Sequence, residues 1–175
     1  MQVIVLRYSE IHLKGANRSY FENMLLSNIN TVLKGFTYKL EKSTARYLIR
    51  DFDSAHAGEI FQKLKNVFGL HSISLADEVD SDVGTIFAKP GTFKVVTNRA
   101  DKTFPLRSMD LSAKLGGEIL ERLAGSHVDL HSPEHVIYVD IRENGKTLVY
   151  SDIAKCVNGM PVGTGGKGLL LLSGG

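Results

Sequence analysis

Hydrophobic and polar positions divide the chain into segments of two different periods. Val3 to Tyr8 is a nearly unbroken apolar run, as in a buried strand. From Asn17 or Ser19, either of which can cap a helix, the period lengthens to that of a helix. Phe21, Leu25, Ile29, Val32 and Leu33 fall on one face, and Gly35 stops it near Lys34. Phe36 to Leu40 and Arg46 to Arg50 read as a strand pair. Ser54 then opens a helix with Ile60, Leu64 and Phe68 apolar, closed by Gly69, and His71 to Ala76 alternates as a further strand. The order β-α-β-β-α-β predicts a split βαβ, or ferredoxin-like, arrangement with helices on one face of an antiparallel sheet.

Asp77 to Asp82, with four acids in six residues, reads as a linker. Beyond it come a short helix or turn (Val83 to Ala88), a strand (Thr92 to Thr97) and a helix capped by Ser108. That helix carries Leu111, Leu115, Ile119, Leu120 and Leu123 and ends near Gly125. Two strands follow, Val136 to Arg142 and Thr147 to Ile153, and Asn144-Gly145 between them is a hairpin signal. Gly-rich Asn158 to Gly168 reads as a flexible connector. The four leucines from Leu169 suit a buried strand that runs into Ser173-Gly174-Gly175. The fold class is α+β: a ferredoxin-like domain, then an α/β unit.

Composition narrows the class. At 175 residues, 43% hydrophobic and 23% charged, the chain has the make-up of a globular protein with one ordinary domain or two small ones. No apolar run is long enough to span a membrane and the N-terminus is strand-like, so no membrane role is expected. A single cysteine, Cys156, excludes an internal disulfide and fits a reducing cytoplasm. The net charge of +2 hides an uneven distribution. Residues 89–107 carry Lys89, Lys94, Arg99, Lys102 and Arg107 against Asp101 alone, which points to an anionic partner for that surface.

Two clusters can carry such binding. Thr97-Asn-Arg-Ala-Asp-Lys-Thr-Phe-Pro-Leu-Arg-Ser108 leaves a strand and ends at a helix start. Arg99, Lys102 and Arg107 can bind phosphates, Phe104 can stack on a base, and the helix start at Ser108 offers N–H groups to an anion. Equally, Phe104 can be core and the charges merely solvated. The second cluster, Arg7 to Arg18, sets Arg7, Lys14 and Arg18 against Glu10, with Gly15 for a tight backbone; it is also readable as a plain surface loop. Lys39, Lys42, Arg46 and Arg50 can extend a basic face or be ordinary solvent-side residues. His127, His131 and His135 are spaced four apart, but Pro133 and Gly125 argue against a helix that would align them, so no metal site is expected. Cys156 reads as a small hydrophobe more than as a nucleophile. The Gly159–Gly168 stretch fails the G-x-x-x-x-G-K-[ST] pattern, since Gly168 follows Lys167.

Taken in series, Glu10-Ile-His-Leu-Lys-Gly-Ala-Asn-Arg18, Arg99-Ala-Asp-Lys-Thr-Phe-Pro-Leu-Arg-Ser108, Gly159-Met-Pro-Val-Gly-Thr164 and Leu171-Leu-Ser-Gly-Gly175 resemble the tRNA 4-thiouridine synthetase family along the whole chain. The resemblance implies a ferredoxin-like domain over residues 1–76 and a THUMP RNA-binding domain over 77–165. Residues 166–175 would begin a PP-loop pyrophosphatase domain whose aspartate and serine, and the family's later catalytic cysteines, are absent here. Asn98 departs from the basic residue common at its position.

Several expectations follow from that resemblance. The parent would be an ATP-dependent tRNA sulfurtransferase, taking persulfide sulfur from a cysteine desulfurase and in many members serving thiazole synthesis for thiamine. This chain would grip the acceptor end of tRNA without catalysing. Lys14, Arg18, Arg99, Lys102, Phe104, Arg107 and Ser108 would contact RNA, with the basic loops of both domains lining one groove. Leu171 and Leu172 would lie by adenine and ribose, and Ser173, Gly174 and Gly175 by the pyrophosphate. ATP with Mg would belong to the full-length protein, and no cofactor is expected here. A cytoplasmic location and a homodimer are compatible with the resemblance. A THUMP-type module of another tRNA-modifying enzyme, or a ferredoxin-like small-molecule or partner-binding protein, is the alternative.

Overall fold

The computed structural model describes residues 1–8, 10–43, 45–80, 90–100, 102–142 and 145–170. Nine strands and three α-helices lie among them. In chain order these are β1 (Gln2–Tyr8), α1 (Arg18–Val32), β2 (Lys39–Ser43), β3 (Arg46–Arg50), α2 (Ala57–Lys65), β4 (Leu70–Asp80), β5 (Thr92–Arg99), α3 (Ser108–Arg122), β6 (His127–Val128), β7 (His135–Ile141), β8 (Lys146–Tyr150) and β9 (Ala154–Lys155). The chain forms two compact units, one of Met1–Val5 with Ser74–Ile153, the other of Leu6–Ile73 with the residues from Ala154 on. Strands β1 and β4 therefore contribute residues to each.

In the Leu6–Ile73 unit the strand order is β2-β3-β1-β4, with β9 added antiparallel to β4 at Ser72↔Lys155 and Ile73↔Ala154. This is the predicted ferredoxin-like order. Helix α1 buries Glu22, Leu25 and Ile29 and α2 buries Ile60 and Leu64, at the three-, four- and seven-residue spacings that keep one helical stripe inward. Three local expectations are corrected. Strand β2 starts at Lys39, not Phe36, because residues 36–38 finish the turn after α1: the Phe36 N–H donates to the Leu33 carbonyl (3.1 Å) and the Tyr38 hydroxyl to Asn30 Oδ1 (2.7 Å). Ser54 opens a 3-10 turn (Ser54–His56) capped by Asp53, whose carboxylate accepts from the Ala55 N–H at 2.9 Å, and the N-cap of α2 itself is His56, with no side-chain capping bond.

The third correction concerns the connector. The Asn158 N–H donates to the Leu70 carbonyl (2.9 Å), the Gly69 N–H returns to the Asn158 carbonyl (3.0 Å), and Asn28 Nδ2 donates to the Val162 carbonyl (3.2 Å). Pro161 is buried against Gly69 and Leu25. Residues 158–164 are a fixed strap on this unit.

The other unit is built round a β5-α3-β7 crossover. Strands β5 and β7 run parallel from Phe93↔His135 to Arg99↔Ile141, β7 and β8 pair antiparallel, and β8 pairs antiparallel with β4 at Asp77↔Val149 and Glu78↔Leu148. The edge strand β6 is parallel to β5. The core comprises Phe93, Leu111, Leu115, Ile119, Ile137, Val139, Ile141 and Val149, with Val79, Val95 and Phe104 packed on it. The acidic stretch predicted as a linker is, up to Asp80, the second half of β4. Its ladder with β8 and the packing of Val79 override the poor strand propensity of Asp and Glu. Helix α3 starts at Ser108, but its N-cap is Arg107, with no side-chain capping bond. The short helix or turn predicted over residues 83–88 lies outside the described residues.

Candidate nucleic-acid interface

Two basic surfaces emerge, one on each unit. Between β1 and α1 the chain makes two short 3-10 turns, Glu10–Leu13 and Gly15–Asn17. Ile11 is fully buried and pins the loop, while Gly15 takes φ +52°, a left-handed value that suits glycine. The consequence is an exposed Lys14 whose ammonium lies 5.3 Å from the Phe21 ring centroid.

Arg18, the first residue of α1, is held by a buried acid. Its Nε donates to Glu22 Oε1 at 2.8 Å and its Nη2 to the Tyr8 hydroxyl at 3.2 Å; that hydroxyl in turn donates to Glu22 Oε1 at 3.0 Å. Lys42, from β2, bonds the other carboxylate oxygen, Oε2. Tyr47 closes the cluster from β3, its ring 5.4 Å from that of Tyr8. Glu22 is 5% exposed. Burial alone would push its pKa up, but the hydrogen bonds from Lys42, Arg18 and Tyr8 outweigh it and hold the carboxyl below its ordinary range. Burial raises the pKa of the Tyr8 hydroxyl and raises that of Tyr47 strongly. Other hairpin cations are paired as well: Lys39 and Arg50 both meet Glu41, at 3.0 and 2.7 Å.

On the second surface the loop after β5 folds round Arg99. Arg99 Nη1 donates to the carbonyls of Phe104 (2.9 Å) and Leu106 (2.7 Å). The sequence-predicted phosphate ligand is thus the clasp that shapes its own loop. Phe104 is half-buried on the core cluster of this unit. Lys102 and Arg107 are exposed, and Ser108 is half-buried at the helix start. Asn98 reaches Asp140 Oδ1 at 3.4 Å. Beside the loop, α3, β5 and β6 frame an apolar cavity of about 660 Å³, with Val96, Met109, Ala113, Leu120 and Leu130 among its walls. Its lining carries no charged side chain.

Sequence reasoning overlooked Glu22 altogether. The signal was available, since Glu22, Leu25, Ile29 and Leu33 share the spacing of one helical stripe, which puts an acid among core residues. Leu171, Leu172, Ser173, Gly174 and Gly175 lie outside the described residues. The described Gly159–Gly168 segment serves as the strap and its end and enters no helix among the described residues. His127 opens β6 and His135 opens β7, while His131 sits in the loop between, its N–H donating to Asp129 Oδ1 at 2.8 Å. Burial pushes the Cys156 thiol up to about 11, which disfavours the thiolate. Among the described residues no helix is long and apolar enough to cross a membrane.

Comparison with known proteins gives two family matches: the ThiI ferredoxin-like domain over residues 3–74 and the THUMP domain over residues 75–152. A probable tRNA sulfurtransferase of Clostridium acetobutylicum is 39% identical over 184 residues, covering 99% of this chain and 47% of the relative. One from Brevibacillus brevis is 38% identical, with 99% and 46% covered. The chain spans about half the length of these curated relatives. Among solved structures, a 4-thiouridine synthetase in complex with RNA and bound ATP superposes with a TM-score of 0.81 at 34% identity, over 100% of this chain and 47% of the other. PH1313 from Pyrococcus horikoshii gives 0.79 at 30% identity, over 94% and 58%.

Proposed function

From the premise that the chain belongs to the ThiI-type tRNA sulfurtransferase family, we propose that it is the tRNA-gripping portion of an ATP-dependent enzyme that makes 4-thiouridine. The observation that supports this reading most directly is the whole-chain likeness to a synthetase whose solved structure contains RNA. In the full-length protein, ATP with Mg activates a uridine and a cysteine desulfurase supplies the persulfide sulfur. A homodimer, a cytoplasmic setting and a contribution to thiamine thiazole synthesis belong to the same reading.

The chain's own residues do the binding. Exposed Lys102 and Arg107 meet backbone phosphates, while Arg99 keeps the loop between them in shape and Phe104 fixes it to the core. Lys14 and Arg18 meet phosphates at the start of α1. Such contacts read the shape and backbone of RNA more than its sequence, as suits a protein acting on many tRNAs.

Titrating bulk tRNA with this chain across a salt series tests the proposal. Binding should weaken linearly in log–log form, and K102A/R107A should lower affinity and flatten the slope by about 1 to 2 units. Absence of tRNA binding at low salt, or an unchanged slope in the folded double variant, would refute it.

A further inference from the structure

Glu22 stands where the α1 stripe calls for an apolar residue. Burying a carboxylate is unfavourable unless donors replace its water, and an apolar residue of similar size commonly serves stability as well or better. Here Tyr8, Arg18 and Lys42, from β1, α1 and β2, all converge on its two oxygens. The arrangement draws in two long cationic side chains without hiding them: their side chains remain 41% and 59% exposed. Arg18 uses Nε and Nη2 inward, and its Nη1 has no hydrogen bond among the described residues.

We propose that Glu22 is a positioning residue for RNA, presetting Arg18 and Lys42 side by side as a two-cation receptor for one backbone phosphate. The inference rests on the tRNA-binding reading above and deepens it. Free surface lysines and arginines lose rotamer freedom when a phosphate arrives. A pair already fixed on one carboxylate has lost that freedom in folding, so binding costs less. Net charge of the cluster is still +1, which favours an anion.

The sign of one substitution separates positioning from bare charge. E22Q keeps the side chain's size and makes the chain one unit more positive. Simple electrostatics then predicts tighter tRNA binding with a steeper salt slope. Positioning predicts the reverse, about 3- to 10-fold weaker binding, because the amide no longer holds two cations. The measurement is fluorescence anisotropy of labelled bulk tRNA with the 175-residue chain, alongside circular dichroism to establish folding.

R18M/K42M should itself bind more weakly, and adding E22Q to it should change affinity less than about 1.5-fold. Equal or tighter binding by E22Q overturns the proposal. So does a loss of the same size in the R18M/K42M background, which would mean that Glu22 acts through the fold at large. If E22Q is unfolded at the assay temperature, Y8F decides: it removes only the hydroxyl that joins Arg18 Nη2 to Glu22 Oε1. Binding about 2-fold weaker supports positioning, and unchanged binding overturns it. A wild-type chain that fails to bind tRNA would instead remove the reading on which the inference stands.

Discussion

Gly69 gives the sharpest test of the strap. It sits between α2 and β4 with φ +99°, and its N–H is committed to the Asn158 carbonyl at 3.0 Å. A Cβ placed there lies 2.9 Å from Pro161 Cγ, 3.2 Å from Leu25 Cδ1 and 3.3 Å from Pro161 Cδ. Neither neighbour yields easily, since the proline ring is rigid and buried and Leu25 is fully enclosed. G69A therefore carries a left-handed backbone penalty of about 1–2 kcal/mol and an overpacking penalty of about 1–3 kcal/mol. A net loss of about 3 kcal/mol corresponds to a fall in Tm of roughly 6–12 °C for a chain this long. Gly117, inside α3 with nothing within 4 Å of an added methyl, supplies the opposite sign: G117A should stabilise by about 0.5–1 kcal/mol. Urea and thermal unfolding measure both. The penalties separate in a double-mutant cycle, because P161A removes the proline contacts but neither the Leu25 contact nor the backbone strain. G69A should cost about 1 kcal/mol less in that background. A G69A variant within about 0.5 kcal/mol of wild type, or a cost unaffected by P161A, would refute the account of residues 158–164 as a packed strap.

Two further outcomes follow from the same geometry. Glu22 and Glu41 have folded pKa values below their unfolded ones, so each contributes stability above the ordinary carboxylate pKa of about 4.3 that is lost as pH falls through the lower, folded value. The Tm should therefore drop on acidification below about pH 4, and less steeply in E22Q; identical acid limbs for both proteins would contradict this. R99A, which loses the bonds to the Phe104 and Leu106 carbonyls, should destabilise by about 1–3 kcal/mol and speed tryptic cleavage after Lys102, followed by mass spectrometry, with unchanged cleavage counting against the clasp.

The periodic elements were legible because each one's burial matches its pattern. The α1 stripe of Leu25, Ile29 and Leu33 and the α3 stripe of Leu111, Leu115 and Ile119 point inward as the spacing requires. What the pattern missed are places where long-range pairing decides. Asp77 and Glu78 look like linker residues alone and become strand only opposite Val149 and Leu148, some seventy residues away in sequence. The strap was unreadable for the same reason: its Gly-rich composition is that of a flexible segment, and its backbone partners, Tyr20, Asn28, Gly69 and Leu70 among them, lie far away in sequence. Two-residue strands such as β6 and β9 have no period to detect.

Candidate binding residues were harder still, because a sequence counts charges without saying which are committed. Arg99 has the charge of a phosphate ligand, yet its Nη1 is spent on two carbonyls of its own loop, and Lys39 and Arg50 are both turned to Glu41. Lys102 and Arg107 keep their charge exposed beside that clasp. The distinction matters for salt dependence. A cation already paired to a protein carboxylate releases fewer counterions on meeting RNA than a solvated one, so the salt slope should fall short of the number of basic residues in the two clusters. The Arg18–Glu22–Lys42 group is the instructive case. There, commitment to an acid is compatible with binding, because one carboxylate between two half-exposed cations leaves a positive remainder facing solvent.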